Sequence, residues 1–284
     1  MVVTLEILPT GAAAGAEIKG VDLRVPIGDD LFKTLDRALG EYGVIYFRNQ
    51  DLTPEHQMTL TRRLGKLDNN VFGETHGLDG YPGIVVISNV EEDGRDIGVK
   101  GAGNNWHSDM CYDAKPPRGT ILYAHEVPEK NGLTLGDTCF AATNKAYNDL
   151  PREMKIFLRG KRAIFDFSAR NRLNPITQEQ IDRFPSVTHP VVRTHPVTNE
   201  KCLYIMRDDT TGIEGMEKDE ADLMIAALAD HITRPEFIYR HRWQAGDLLI
   251  WDNCTVQHRA IQDYALPHRR LMYRTTFAAN GVPV

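Results

Sequence analysis

The chain has 284 residues, with 33 basic against 39 acidic side chains and a formal net charge of −6 at pH 7. No basic run of the kind that tracks a phosphate backbone is present, which argues against a nucleic-acid partner. No apolar stretch approaches the roughly 18 residues of a membrane helix and no secretory leader is apparent, which argues against a membrane partner. Cys111, Cys139, Cys202 and Cys254 lack C-x-x-C spacing; reduced, buried thiols in a cytoplasmic protein are expected, and one domain over 1–284 suits this length.

In chain order, an alternating stretch over residues 3–8 predicts a first strand. A helix follows over 29–42, with Leu31, Leu35, Ala38 and Leu39 on one face and Gly43 ending it. A strand is predicted at 44–47. Thr53 as N-cap with Pro54 behind it opens a second helix to about residue 64. A strand over 84–90 runs into an Asp93-Gly94 turn. The polar, glycine-rich segments 68–81 and 91–104 read as a lid. Later strands are expected near 119–127, 186–195, 200–206, 236–243, 247–251 and 270–278, with helical stretches near 141–159 and 216–232. The sum is a mainly β chain with flanking helices, expected to form a double-stranded β-helix, or jelly roll.

The chemistry concentrates in two places: Trp106-His107-Ser108-Asp109, and Trp251-Asp252-Asn253 leading to His258, Arg270 and Arg274. On a strand, residues i and i+2 share a face, so His107 and Asp109 would converge and Ser108 turn away. Two histidines and one carboxylate form a facial set that leaves positions open on a non-heme iron. His258 is the candidate third ligand. Arg270, Met272 and Arg274 would share one strand face, the arginines roughly 13 Å apart at Cα, suited to two carboxylate-like groups in one cavity. The same ligand set could hold zinc and activate water for hydrolysis. A non-catalytic binding protein with a relict metal site is a further reading. Cys111 and Cys254 read as small buried apolar residues. His76 lies in the first loop as a candidate substrate contact, whereas His125, His189, His195, His231 and His241 read as structural.

These segments resemble the Fe(II)- and 2-oxoglutarate-dependent dioxygenases of the taurine dioxygenase and 2,4-dichlorophenoxyacetate dioxygenase family. The similarity rests on Asn105-Trp106-His107-Ser108-Asp109, Pro116-Pro117, Gly132-Leu133-Thr134, Gly246-Asp247, Trp251-Asp252-Asn253, His258 and Arg269-Arg270, and on Gly20-Val21-Asp22-Leu23 near the start. It implies His107, Asp109 and His258 as iron ligands, with 2-oxoglutarate and O2 as co-reactants. Arg270 would grip the far carboxylate of 2-oxoglutarate with Thr134 as its hydroxyl partner. One extra residue in Tyr264-Ala265-Leu266-Pro267 leaves Arg269 and Arg270 as alternatives for the inward position. Arg274, Asn70, Asn105 and Phe72 are the candidate substrate contacts. Asn70 and Gly103 stand where the taurine branch has histidine and asparagine, so taurine itself is disfavoured. A small anionic organic substrate, hydroxylated and thereby cleaved, is implied, as is a homo-oligomer, dimer or tetramer.

Overall fold

The structure, a computed structural model, describes residues 4–68, 76–169, 176–279 and 281–284. Its centre is a large sheet. The strands that build it are β1 (Glu6–Pro9), β2 (Ala16–Lys19), β3 (Val44–Phe47), β4 (Tyr81–Ser88) and β5 (Gly119–Glu126). A facing sheet is centred on β6 (Thr138–Ala142). A third sheet and a hairpin use β7 (Arg162–Phe165), β8 (Val187–Pro190), β9 (Val192–Thr194), β10 (Lys201–Leu203) and β11 (Thr210–Ile213). The chain then adds β12 (Ile238–His241), β13 (Leu248–Asp252), β14 (Val256–Ala260) and β15 (Leu271–Phe277). Through the large sheet the order is β1-β2-β3-β13-β5-β15-β4, and the smaller one is β12-β6-β14. Thus β13 lies in one sheet and β14 in the other, joined by the tight turn at residues 253–255.

Alternation on β13 shows how the layers form. Leu248 and Ile250 join Leu35, Leu39, Ile45 and Phe47 under the helices α1 (Asp29–Tyr42) and α2 (Pro54–Leu64). Leu249 and Trp251 point the other way, into the space between the two sheets, where they meet Phe140, Trp243, Val256 and Met272. Each such side chain, fully withdrawn from water, contributes on the order of 2 kcal/mol. A third apolar cluster packs Phe165, Tyr204 and Ile205 against Ile225 and Leu228 of a later helix, Lys218–Ile232.

The local signals account for the helix ends. Gly43 sits at φ 69°, where a Cβ would be strained, and its N–H closes on Leu39 O at 2.8 Å. Thr53 Oγ1 accepts from His56 N, and His56 Nδ1 accepts from Thr53 N in return.

Several expectations change. The helical stretch 141–159 is two helices, Thr143–Asp149 and Arg152–Leu158, because Pro151 pushes Leu150 into extended backbone. The stretch 186–195 is likewise two strands, β8 and β9. The first strand begins at Glu6, and β2, β6, β7, β11 and β14 are additional to the expected strands. Of the two glycine-rich segments, 91–104 is fastened: Val99 N donates to Val86 O at 2.9 Å, Val99 bridges Ile87, and Ala260 N donates to Gly103 O at 2.7 Å. Its first part, residues 91–96, is an exposed hairpin. Half of the other segment, residues 69–75, lies outside the described residues. Among the described residues no helix is long and apolar enough to cross a membrane.

Candidate active site

His258 lies on β14 opposite Phe140 of β6. His107 is brought to it by a two-way backbone bridge, His107 N to His258 O at 3.1 Å and His258 N to His107 O at 2.8 Å. The expected strand at 107–109 is absent: the chain turns at Asp109, and Met110 takes a left-handed φ of 47°. Asn253 makes the turn possible. Its carbonyl accepts from Ser108 Oγ at 2.8 Å and its Oδ1 accepts from Asp109 N at 3.3 Å. Asp109 therefore reaches the histidines through a side-chain bracket rather than through strand alternation.

The result is a buried group of three potential ligands whose atoms lie within 4.8 Å of one another. Asp109 Oδ1 is 3.6 Å from His107 Nε2 and 3.8 Å from His258 Nε2. Two ligand bonds of roughly 2.1 Å at right angles place their donor atoms about 3 Å apart, so the spacing suits one cation. Supporting contacts agree. His107 Nδ1–H donates to Asn105 O at 2.7 Å, leaving Nε2 as a lone-pair donor, and Thr120 Oγ1 donates to Asp109 Oδ2 at 2.7 Å, turning Oδ1 to the two imidazoles and Arg274. Burial opposes ionisation of Asp109, but Arg274, whose Nη2 stands 3.0 Å from Oδ1, together with His258 and His107, holds it well below the usual carboxylate range. Asn105 thus orients a histidine with its backbone carbonyl.

The arginine ambiguity resolves by burial. Arg269 points outward to Glu126, at 2.7 Å, whereas Arg270 is 3 % exposed. The Arg270 backbone is pinned to the neighbouring strand, its N donating to Asn89 Oδ1 and its carbonyl accepting from Ser88 Oγ, both at 2.8 Å. Its guanidinium lies 5.6 Å from the centre of the Tyr264 ring, and among the described residues its Nε has no hydrogen-bond partner. Burial lowers its pKa somewhat, yet a guanidinium stays charged in a protein. Such a cation in a low-dielectric interior calls for an anion.

Thr134 sits exposed on a two-residue strand paired with Glu129, the outgoing arm of a hairpin turned by Asn131 and Gly132. Four residues on, Thr138 is buried on β6 and shares the face of Phe140 and His258. Thr138 Oγ1 accepts from Trp243 Nε1 at 3.0 Å; since indole N–H only donates, the hydroxyl proton remains available. A Cβ on Gly136 would lie 3.1 Å from Arg270 Nε, which places this segment against the arginine. Asn70 and Phe72 lie outside the described residues. Met272 is wholly buried between the sheets, and Met110 and Tyr112 belong to the third apolar cluster.

A buried set of two imidazoles and one carboxylate, in a mainly β scaffold with charged guanidiniums beside it, defines a mononuclear metal enzyme. The chain belongs to the taurine catabolism dioxygenase TauD, TfdA family, whose pattern matches residues 6–276. It is 33% identical over 282 residues to the alpha-ketoglutarate-dependent 2,4-dichlorophenoxyacetate dioxygenase of Cupriavidus pinatubonensis, covering 95% of this chain and 96% of that one. It is 30% identical over 292 residues to the alpha-ketoglutarate-dependent sulfate ester dioxygenase of Pseudomonas putida, covering 99% and 91%. Among solved structures, AAD-2 in complex with Mn(II) and N-oxalylglycine superposes with a TM-score of 0.84 at 28% identity, covering 99% of both chains. This chain is accordingly an alpha-ketoglutarate-dependent dioxygenase.

Proposed function

We propose that the enzyme uses Fe(II), 2-oxoglutarate and O2 to hydroxylate, and thereby cleave, a small anionic organic substrate of the phenoxyalkanoate, sulfonate or sulfate-ester kind. The observation that carries the reading is the pairing of a convergent His107–Asp109–His258 set with a buried, anion-seeking Arg270. A zinc hydrolase accounts for the three ligands but gives Arg270 no task. The two facing sheets are taken as the halves of a double-stranded β-helix, with the ligands at its mouth.

His107, Asp109 and His258 would hold Fe(II). Bound there, the iron supplies oxidative decarboxylation of 2-oxoglutarate to succinate and CO2, coupled to hydroxylation of a substrate C–H. Arg270 grips the far carboxylate of 2-oxoglutarate in a bidentate fork, and the Thr138 hydroxyl, replacing Thr134 in this role, donates to it. N-oxalylglycine, held by the structural relative, has the skeleton of 2-oxoglutarate with NH in place of one methylene. Arg274, beside Asp109, meets the anionic group nearest the iron. The fastened wall at 97–104 and the apolar interior around Met272 keep water from the reacting carbon. A hydroxyl placed on a carbon that carries an ether oxygen, a sulfonate or a sulfate oxygen makes that bond break, which explains how hydroxylation becomes cleavage.

The test is succinate formation under air with Fe(II), ascorbate and 2-oxoglutarate across phenoxyalkanoates, sulfonates and alkyl sulfates. Succinate should rise with one class, vanish in His107→Ala and fail with Zn(II). Activity with Zn(II) and none with Fe(II) would contradict the reading.

A further inference from the structure

A second buried cluster lies at the far end of β13. Cys254, 2 % exposed, occupies the turn after β13, its N–H donating to Asp252 Oδ1 at 2.7 Å. Cys202 of β10 is in contact with it, a wholly buried thiol directly opposite Arg193 of β9. Both are thiols, with no disulfide between them. His195, Asp252 and Cys254 have metal-ligand spacing, but Arg118 already occupies Asp252 Oδ2 and His195 Nε2 lies 2.8 Å from the same oxygen. A cation is therefore disfavoured there.

The charges point the other way. Arg118 is matched by Asp252 and, at 3.5 Å, by Asp36. Arg193 is 7 % exposed; among the described residues its Nε and Nη1 have no hydrogen-bond partner, and its guanidinium rests 4.6 Å from the centre of the Tyr204 ring. A buried cation without a carboxylate calls for a counter-charge, and the group beside it that can supply one is the Cys254 sulfur. A cavity of about 350 Å³ is lined by Cys254, Arg118, Arg193, Phe32, Leu64 and Val197. It is ample for a molecule near water in size.

We propose that Cys254 is an oxidative modification site: hydrogen peroxide converts its sulfur to a sulfenic acid, which Cys202 captures as an internal disulfide. In the first step the Cys254 thiolate attacks one peroxide oxygen; an S–O bond forms, the O–O bond breaks, and hydroxide leaves. In the second, the Cys202 thiol attacks the oxidised sulfur, an S–S bond forms, and water leaves with the thiol proton. Two electrons pass from the sulfur pair to one peroxide. The Cys202 contact, then Arg193 and Arg118, lower Cys254 below an ordinary thiol against the opposing effect of burial. Cys254 lines the cavity and Cys202 does not, which makes Cys254 the attacking and Cys202 the resolving sulfur.

The experiment is peptide mapping by mass spectrometry of the full chain treated with dilute peroxide and a chelator, without reduction. A Cys202–Cys254 linkage should form at least ~10-fold faster than oxidation of Cys111 or Cys139, since each unit of pKa changes the thiolate fraction about tenfold. In Cys202→Ser the linkage should be replaced by a dimedone adduct at Cys254, and Arg193→Met should slow that adduct by about tenfold. Oxidation of Cys254 no faster than of Cys111 and Cys139, or linkage through a different pair, would overturn the proposal. The wild-type map decides between these outcomes by itself, so the proposal stays testable even where a variant fails to fold.

Discussion

Two buried triads of similar composition sit in this molecule, His107–Asp109–His258 and His195–Asp252–Cys254. Their difference lies in what the carboxylate is doing. Asp109 gives one oxygen to Thr120 and turns the other to both imidazoles and to Arg274. Asp252 has both oxygens engaged by the protein, Oδ1 by Cys254 N and Oδ2 by Arg118 and His195. Ligand types and spacing alone do not make a metal site: in the first triad two imidazoles converge on one carboxylate oxygen, whereas in the second a single imidazole does and the other oxygen is held by a backbone N–H. The first triad has the convergence a cation would need, and the second ties β13 to its neighbours.

The largest effect expected from this contrast is on stability. Asp252→Asn leaves Arg118 and His195 with a weakened partner in the interior and should cost about 3–5 kcal/mol, read as a lowered urea midpoint. The folded fraction should still bind one metal. Next comes the cosubstrate end: Arg270→Met should raise the KM for 2-oxoglutarate by about 100-fold, as expected for losing a buried charge-assisted grip. Arg269→Met, removing an exposed pair with Glu126, should change it by less than about 2-fold.

The pair of arginines shows how much the sequence could reveal. Alternation dictates that only one of them can face inward, and burial of Arg270 beside an exposed Arg269 answers which. The three candidate metal ligands are legible through resemblance, although the strand geometry expected of His107 and Asp109 is not what forms: a period of two cannot anticipate a turn held by the distant Asn253. Counting along the chain to Thr134 ignores a hairpin. Its Asn131-Gly132 turn is a recognisable signal, and it puts Thr134 on an exposed arm and Thr138 on the strand behind. Strands β2, β6 and β14 are four or five residues long, and β6 is wholly buried, so no alternation marks it; β3 is as short and as buried, and its β-branched and aromatic run Val44-Ile45-Tyr46-Phe47 is what betrays it. The break at Pro151, by contrast, is a signal the sequence does carry, since a residue before proline resists the helical conformation.

Histidines outside the first triad give a smaller effect. Burial, with Arg193 and Arg162 nearby, depresses His189 to about 4; burial, with Arg118 and Arg193, depresses His195 to about 3. An unfolded histidine titrates near 6.5, so between pH 6.5 and 4 the unfolded chain binds protons that the folded chain refuses. Stability is therefore full above pH 6.5 and falls as pH drops through that window, by about 1–2 kcal/mol per histidine after allowance for screening. Urea midpoints from pH 7.5 to 4.5 measure it, and a flatter profile in His189→Gln would isolate that residue's share. The smallest effect separates the two threonines. Thr138→Val should raise the 2-oxoglutarate KM by roughly 5- to 10-fold, one hydrogen bond to a charged group, while Thr134→Val should leave it unchanged.

The most direct test is anaerobic calorimetric titration of Fe(II), followed by 2-oxoglutarate, into the wild-type chain, His107→Ala and His195→Ala. One Fe(II) per chain with 2-oxoglutarate binding on top of it, lost in His107→Ala and kept in folded His195→Ala, is the predicted result. Metal binding that survives His107→Ala and disappears in folded His195→Ala would contradict the assignment of the two triads.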